Sequence, residues 1–145
     1  MLPPKIVYVD KPVYIPVKQI VTTPTQVKCM AEAIYFEGRN QSDTGEKAIA
    51  HVIVNRVTSG VFPKTICGVV HDGCQFSYSC SHRIKKIKEP EEYKRALDIS
   101  NAVISGERDF TYNAMFYHAK YVHPKWAHKM QIAANIGDHI FYKEN

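Results

Sequence analysis

The stretch that most constrains the fold is CMAEAIYFEGRN, residues 29–40, in which apolar side chains recur at helical spacing. Gly38 directly follows Glu37, which predicts that the helix ends there. Glu37 is then a carboxylate at the end of an otherwise apolar run. A carboxylate held against apolar neighbours keeps its proton to higher pH than a solvated one, as a general acid near neutrality requires. The alternative is a solvated surface glutamate, the commoner position for this residue type.

A second helix is predicted to begin at Asp43 and to end at Gly60. Asp43 with Glu46 three residues later resembles a capping box, in which both side chains bond the first turn of the helix. The residues that follow are apolar on nearly every side, so we expect this helix to be the buried centre on which the first helix packs. Asn55 and Arg56 are polar residues near its end, and we expect them to brace a neighbouring segment and not to take part in chemistry.

The last third of the chain changes from helical to strand-like character. A third helix begins at Pro90, which suits a first helical position, and ends before Gly106. Residues 111–119 and 139–142 are rich in aromatic side chains and are predicted to be strands. A turn at residues 124–126 and a short helical stretch join them. The sequence therefore predicts an α+β fold that is mainly helical with a small antiparallel β-sheet.

The N-terminal residues differ in composition from the rest of the chain. Residues 1–26 carry five of the eight prolines and alternate Val, Ile and Tyr with charged residues, which predicts an extended segment without helix. We therefore divide the chain into an arm, residues 1–26, and one catalytic domain, residues 27–145, long enough to form its own core. The arm is expected to be partly disordered, or to add a strand to a sheet edge of its own domain or of a partner.

The charge of the chain points to an anionic partner. Lys and Arg number 19 against 14 Asp and Glu, for a net charge of +5. Nucleic acid, teichoic acid and peptidoglycan are all anionic, but the densest basic run, residues 82–88, contains no aromatic residue, which disfavours nucleic acid. No segment is apolar enough to span a membrane, and the proline-broken N-terminus lacks the apolar core of a signal peptide. Export would therefore need another route.

The chain contains an even set of cysteines, Cys29, Cys67, Cys74 and Cys80, without the paired spacing of a structural zinc site. Two disulfides are expected, and three pairings are open. We favour Cys29 with Cys67 and Cys74 with Cys80, because the second pair closes a short local loop. The alternative is four reduced thiols in a cytosolic protein.

Glu37 has no evident carboxylate partner in the sequence. Most glycosidases use two carboxylates, but Glu32 lies on a different helix face. A single carboxylate is enough if the C6 hydroxyl of the sugar is the nucleophile. Glu37 then protonates the leaving oxygen and afterwards accepts the hydroxyl proton, which is lytic transglycosylation.

Four histidines in the last third, His118, His123, His128 and His139, raise the alternative of a zinc amidase. They lack the HExxH spacing, and two of them fall in the predicted strands, where a hydrogen-bonded structural imidazole is the commoner outcome. The sequence therefore predicts neither a metal nor a cofactor.

Six motifs occur in order between Cys29 and Tyr142: AIYFEGR, GEKAIAHVIVNRV, FPKTICGVV, CQFSYSC, FYHAKYVHPKWA and IGDHIFY. Together they closely resemble the cell wall hydrolase family that includes the spore cortex-lytic enzymes. The resemblance implies a lysozyme-like domain that cleaves peptidoglycan glycan strands between N-acetylmuramic acid and N-acetylglucosamine. It also implies that Glu37, the glutamate of the first motif, is the catalytic acid.

The resemblance further implies a substrate cleft and a place of action. The residues expected to line the cleft are Gln75, Phe76, Ser77, Tyr117, Trp126 and Tyr142. The four cysteines fall where many Gram-negative-type relatives carry them, which implies disulfides and work outside the cytoplasm, in the periplasm or cell wall. The missing signal peptide indicates a phage lysin or a virion-carried enzyme, whose arm would contact a virion or envelope protein.

Two other functions stay open at this point. Members of the family have been described as amidases as well as transglycosylases, so an N-acetylmuramoyl-L-alanine amidase is one alternative. The other is a non-catalytic wall-binding or virion structural module. Such a module would have no need of a protonatable carboxylate at the cleft, and the intact motif around Glu37 therefore favours an enzyme.

Overall fold

The computed structural model describes residues 20–80 and 86–145. In these ranges the helices are α1 (Pro24–Glu37), α2 (Asp43–Ser59), α3 (Ile66–Val70) and α4 (Pro90–Ile104), with short 3-10 helices at Ser77–Cys80 and Ala127–Lys129. The strands are β1 (Phe116–Ala119), β2 (Gln131–Ile136) and β3 (His139–Lys143). Most of the predicted arm, residues 1–19, and part of the basic run, residues 81–85, lie outside the described residues.

Helix α1 begins earlier than predicted. Pro24 occupies its first turn, and the amide of Val27 donates a 3.0 Å hydrogen bond to the carbonyl of Thr23. The prediction that residues 1–26 contain no helix is therefore wrong for residues 24–26. The reason is that a proline at the first helical position has the φ angle the helix needs and lacks only an N–H that would have no helical partner. The division of the chain into arm and domain remains a prediction.

Helix α2 is capped by a different residue from the one predicted. The side chain of Ser42 accepts a hydrogen bond from the amide of Gly45 at 3.2 Å, whereas Asp43 is already helical. The carboxylate of Glu46 turns away from the cap and pairs with Arg95 on α4, with 3.0 Å between Oε1 and Nη2. The capping-box prediction is therefore wrong, although α2 begins and ends where the sequence indicated.

Helix α2 lies at the centre of the core, as predicted. Ile49 and Ile53 on α2 are fully buried, as are Met30 and Ile34 on α1. Helices α1 and α4 pack on each other and on α2, and the short helix α3 packs on α1. Within the described ranges no helix combines the length and the apolar character needed to cross a bilayer.

The three strands form an antiparallel sheet in the order β1, β3, β2. The two-residue turn between β2 and β3 contains Gly137, whose φ of +57° favours glycine. Strand β2 occupies much of the stretch predicted as helical, and only Ala127–Lys129 is a short 3-10 helix. The two alanines of QIAANI obscure its strand character locally, and pairing with β3 determines its conformation. The predicted α+β class, mainly helical with a small antiparallel sheet, is confirmed.

Candidate active site

A cleft of about 1050 Å³ lies between the helices and the sheet. One side is formed by the C-terminal end of α1, by Arg56 of α2 and by the loop between Cys74 and Cys80. The other side is formed by β1, by the segment that links β1 to β2 and by the start of β3. We call these sides the helical wall and the sheet wall.

Glu37 is the last residue of α1 and lines the cleft, where its Oε1 atom is buried. The helix closes at Gly38, whose amide donates a 2.7 Å hydrogen bond to the carbonyl of Ile34. A Cβ atom at position 38 would lie 2.7 Å from the same carbonyl oxygen, so glycine is required for this close approach. The predicted end of the helix thus places Glu37 at the cleft.

Two tyrosine hydroxyls lie within electrostatic range of Glu37. Burial raises the pKa of Tyr117, and the Glu37 carboxylate raises it further, while Arg56 lowers it. Burial likewise raises the pKa of Tyr78, with smaller contributions from the carboxylates of Glu32 and Glu37. Both hydroxyls therefore keep their protons at neutral pH and can donate hydrogen bonds next to the candidate acid.

Arg56 braces the sheet wall, as the sequence indicated, but it also lines the cleft. Its Nε donates a 2.7 Å hydrogen bond to the carbonyl of Met115, just before β1, and its guanidinium lies 4.7 Å from the ring centroid of Phe62 and 5.4 Å from that of Phe116. Only 4% of the residue is exposed, and burial lowers its pKa. Asn55 is a brace only, since its amide donates to Asp109 and to the carbonyl of Ala114.

The loop predicted to line the cleft does so. Gln75, Phe76 and Ser77 all belong to the helical wall. Phe76 is buried and packs against Tyr117 with 6.5 Å between ring centroids, whereas Gln75 and Ser77 are exposed and available to a ligand. The loop thus joins the two walls through an aromatic contact.

The disulfides follow the favoured pairing. Cys74 pairs with Cys80 and closes the loop that carries Gln75 to Ser77. Cys29 pairs with Cys67 and joins α1 to α3, away from the cleft. The described part of the chain contains no free cysteine.

The predicted aromatic residues of the sheet wall take different positions. Tyr117 and Trp126 line the cleft, but Tyr142 does not. Tyr142 is 5% exposed and stacks on His118 at 5.2 Å, so the structure places it behind the wall and not on the surface where it was expected. Tyr142 shares a face of the sheet with Phe116, but the rings of His118 and Trp126 pack on it at 5.2 and 5.4 Å and cover it.

His118 connects Tyr142 to the cleft. Its Nδ1 lies 2.7 Å from the carbonyl oxygen of Ala119 and its Nε2 2.7 Å from the hydroxyl of Tyr142. A carbonyl oxygen only accepts, so Nδ1 donates, and in the neutral ring Nε2 then accepts from the tyrosine hydroxyl. His118 is therefore held as a hydrogen-bonded imidazole, which is the structural role that the sequence favoured.

The described residues contain no group of three or more His, Cys, Asp or Glu side chains placed to hold a metal ion. His118 is engaged with Tyr142, and His139 is largely buried within the sheet wall, where burial lowers its pKa. His123 and His128 are exposed. The geometry of this part of the chain therefore offers the zinc amidase alternative no ligand set.

Asp138 is a second carboxylate on the cleft that the sequence analysis missed. Its Oδ2 accepts a 3.0 Å hydrogen bond from Gln41, whose Oε1 accepts from the amide of Asp138 at 3.2 Å. This double contact clamps the β2–β3 turn to the loop between α1 and α2. The signal in the sequence was the Gly-Asp pair in a hairpin turn, which was hidden because β2 was not predicted. Glu32, by contrast, does not line the cleft and pairs with Lys28.

Comparison with known proteins identifies the class. A sequence model of the family described as Cell Wall Hydrolase matches residues 40–142. The chain is 34% identical over 118 residues to a spore cortex-lytic enzyme of Bacillus cereus and 30% identical to one of Oceanobacillus iheyensis, in each case covering 81% of this chain. The chain belongs to the cell wall hydrolase family.

Two solved structures share the fold. The catalytic domain of the Bacillus cereus SleB protein superposes with a TM-score of 0.70 at 32% identity, covering 88% of this chain and 98% of that one. The catalytic domain of the germination-specific lytic transglycosylase SleB from Bacillus anthracis gives a TM-score of 0.70 at 33% identity, covering 84% and 97%. The chain spans less than half the length of the two cortex-lytic enzymes, 44% and 41% respectively.

Proposed function

We propose that this domain cleaves the glycan strand of peptidoglycan between N-acetylmuramic acid and N-acetylglucosamine, as a lytic transglycosylase with Glu37 as its catalytic residue. The observation that carries the proposal is the position of Glu37, at the end of α1 on the wall of a cleft of about 1050 Å³. A cleft of this size accommodates several sugar rings, and its aromatic lining suits their apolar faces. The similarity to a domain described as a lytic transglycosylase supports the same reaction.

The reaction needs one group that gives and then takes a proton. Protonated Glu37 donates its proton to the glycosidic oxygen as the bond from that oxygen to C1 of muramic acid breaks, and the positive charge develops at C1. The C6 hydroxyl of the same muramic acid then attacks C1, and its proton passes to the Glu37 carboxylate. The products are a free sugar end and a 1,6-anhydromuramic end, and Glu37 is again protonated. No water is consumed.

Neighbouring groups on both walls support this use of Glu37. The protonated hydroxyls of Tyr117 and Tyr78 provide hydrogen-bond donors close to the carboxylate once it has lost its proton. The guanidinium of Arg56 provides positive charge beside Tyr117 in a buried setting, where charges act more strongly than in water. We infer that these groups stabilise the negative charge that Glu37 carries after it has given its proton to the leaving oxygen.

One observation favours a hydrolytic variant of the same cleavage. Asp138 lines the cleft, and a second carboxylate could activate a water molecule in place of the C6 hydroxyl. The carboxylate of Asp138 instead accepts a hydrogen bond from Gln41, and the amide of Asp138 donates one to the same side chain. We therefore propose that Asp138 shapes the cleft and does not activate water.

We also propose that the domain works outside the cytoplasm. Its proposed substrate lies there, and the two disulfides are of the kind that persists in oxidising compartments. The net charge of +5 favours attraction to an anionic wall.

Mass spectrometry of digested peptidoglycan tests the proposal. Anhydromuramic ends, which lack one water relative to reducing ends, are the expected product, and Asp138→Asn should leave their identity unchanged. If the unchanged protein produced reducing muramic ends and Asp138→Asn did not, hydrolysis with paired carboxylates would be established. Free peptides with intact glycan strands would establish an amidase, and a protein that binds sacculi without releasing fragments would be a wall-binding module.

A further inference from the structure

The segment that links β1 to β2 places three lysines beside the cleft. Lys120, Lys125 and Lys129 are all exposed. No Asp or Glu occurs anywhere from residue 110 to residue 137, although such residues are common in the helical part of the chain. We call the segment of residues 120–129 the basic rim.

The basic rim borders the cleft through three of its residues. Tyr121, Val122 and Trp126 alternate with the lysines along the segment and line the cleft. Tyr121 is 82% exposed and Val122 is 44% exposed, so both present apolar surface to solvent next to the lysines. A ligand that extends from the cleft over this edge would meet ammonium groups and apolar side chains together.

The charge of the basic rim is not neutralised by neighbouring side chains. Among residues 20–80 and 86–145, none of the ion pairs involves a rim lysine. Asp138 is close to the rim, since its carbonyl accepts a 2.8 Å hydrogen bond from the amide of Lys120, but its carboxylate is bonded to Gln41. The three lysines therefore remain available to an external anion.

We propose that the basic rim binds the carboxylates of the short peptides that peptidoglycan carries on its glycan strand. This inference rests on the proposed function, which places the strand in the cleft. Peptides attached to muramic acid extend sideways from such a strand, and their free carboxylates are the negative charges nearest to the glycan. Complementary charge at the edge of a site gives specificity and faster association, and the exposed Tyr121 and Val122 can cover the aliphatic parts of the peptide. The domain therefore prefers strands with free carboxylates to equally long uncharged strands.

The test compares two forms of one substrate. Glycan strands with uncrosslinked peptides are stripped of attached phosphate polymers, and half are treated with carbodiimide and ammonia, which converts carboxylates to amides without changing the sugars. Equilibrium binding is measured with the full chain carrying Glu37→Gln, so that turnover does not interfere. The rim variant adds Lys120→Gln, Lys125→Gln and Lys129→Gln.

A matched control removes the same charge elsewhere. Lys64, Lys88 and Lys94 are exposed, lie off the cleft and take part in none of the ion pairs of the described residues. Their triple change to Gln lowers the net charge by as much as the rim variant does. Exposed lysine–carboxylate pairs are individually weak, so we expect the rim variant to lose roughly three- to tenfold in affinity for the free-carboxylate strands. The control should lose less than about twofold, and high salt should remove the difference.

The outcomes separate the two proposals. Equal losses in rim and control variants, or equal affinity of the parent for free and amidated strands, would overturn the rim proposal. So would rim dependence seen only on strands that keep their phosphate polymers, because the ligand would then be that polymer. If carboxylate-dependent binding through the rim is retained but the protein with Glu37 intact releases no fragments, the proposed function falls and the rim proposal stands.

Discussion

The helical wall and the sheet wall of the cleft differ in how deeply their residues are buried. The helical wall lies at the end of α1, whose Met30, Ala33 and Ile34 have no exposed surface. The sheet wall rests on β1, whose four residues are all only partly buried, and continues into the exposed basic rim. A small separate cluster around Phe141 is the main apolar support of the sheet.

This difference indicates a division of tasks. A proton donor must be held within a fraction of an ångström, and a helix end packed on a core provides that. Recognition of a long polymer needs area, aromatic faces and charge, and these can be carried by strands and loops with little burial. We therefore expect changes on the helical wall to alter turnover or stability, and changes on the sheet wall to alter binding.

The largest effect is expected from Glu37→Gln on the helical wall. Gln keeps the shape of the side chain but cannot deliver a proton, and general acid catalysis typically contributes about 10²- to 10⁴-fold in rate. Turnover on sacculi should fall by that range while binding to sacculi is retained. Glu32→Gln is the matched control, because Glu32 lies on the same helix and off the cleft. Near-normal turnover by Glu37→Gln would refute the catalytic assignment and the proposed division with it.

The disulfides should separate stability from activity. Replacing Cys29 and Cys67 by Ser opens a loop with a sequence separation of 38, and chain entropy predicts a loss of about 4 kcal/mol in the free energy of unfolding. Replacing Cys74 and Cys80 opens a loop with a separation of 6, for which the same relation predicts only about 2 kcal/mol. The second change should nevertheless reduce activity more, because that loop carries Gln75 to Ser77. Urea denaturation gives the stability of the two double variants, and turnover on sacculi gives their activity. If the loop does not shape the cleft, the change at Cys74 and Cys80 should reduce turnover no more than the change at Cys29 and Cys67.

Glu46 on α2 and His139 on β3 should give the free energy of unfolding opposite pH dependences. On the helical side, burial raises the pKa of Glu46 from 4.5 to about 7, with Arg95 opposing the shift. A raised pKa means that the folded protein holds this proton more tightly than the unfolded chain does. Glu46 therefore contributes up to about 3 kcal/mol to the free energy of unfolding below pH 4.5, and this contribution is lost as the pH rises through 7. Glu46→Gln should remove this loss, as followed by denaturation midpoints at pH 5 and pH 8.

On the sheet side the sign is reversed. Burial lowers the pKa of His139 below 6.5, so the unfolded chain binds the proton more tightly and stability is lost as the pH falls below that value. Glu46→Gln should not change this loss of stability at low pH. If Glu46→Gln removed both pH dependences, Glu46 and His139 would not titrate independently.

The smallest effect is expected from Trp126→Ala on the sheet wall. The indole lines the cleft and packs on Phe116 and Tyr142. Loss of one aromatic contact to a sugar ring should cost about 1 kcal/mol and raise KM by about fivefold to tenfold with little change in kcat. A fall in kcat at unchanged KM would place Trp126 in the chemistry and end the separation of the walls.

Local sequence indicated α1, α2 and α4 and the position of the carboxylate at a helix end. The periodicity of residues 29–40 and the glycine at position 38 predicted both, because helix formation and helix ends depend on residues within one or two turns of each other. The motif series also indicated the family and six of the residues that line the cleft before any contact was known. The favoured cysteine pairing rested on the same local reasoning, since one pair is only six residues apart.

Tertiary structure decided what depends on contacts between distant segments. Strand β2 has a weak local pattern and is a strand because β3 pairs with it. Tyr142 lies behind the sheet wall because the rings of His118 and Trp126, from two other segments, pack on it, which no single segment specifies. Arg56 reaches the cleft where it bonds the carbonyl of Met115, and Asp138 reaches it where Gln41 clamps the β2–β3 turn. Which side of a residue faces a ligand is set by packing between elements, whereas the existence of each helix is set within it.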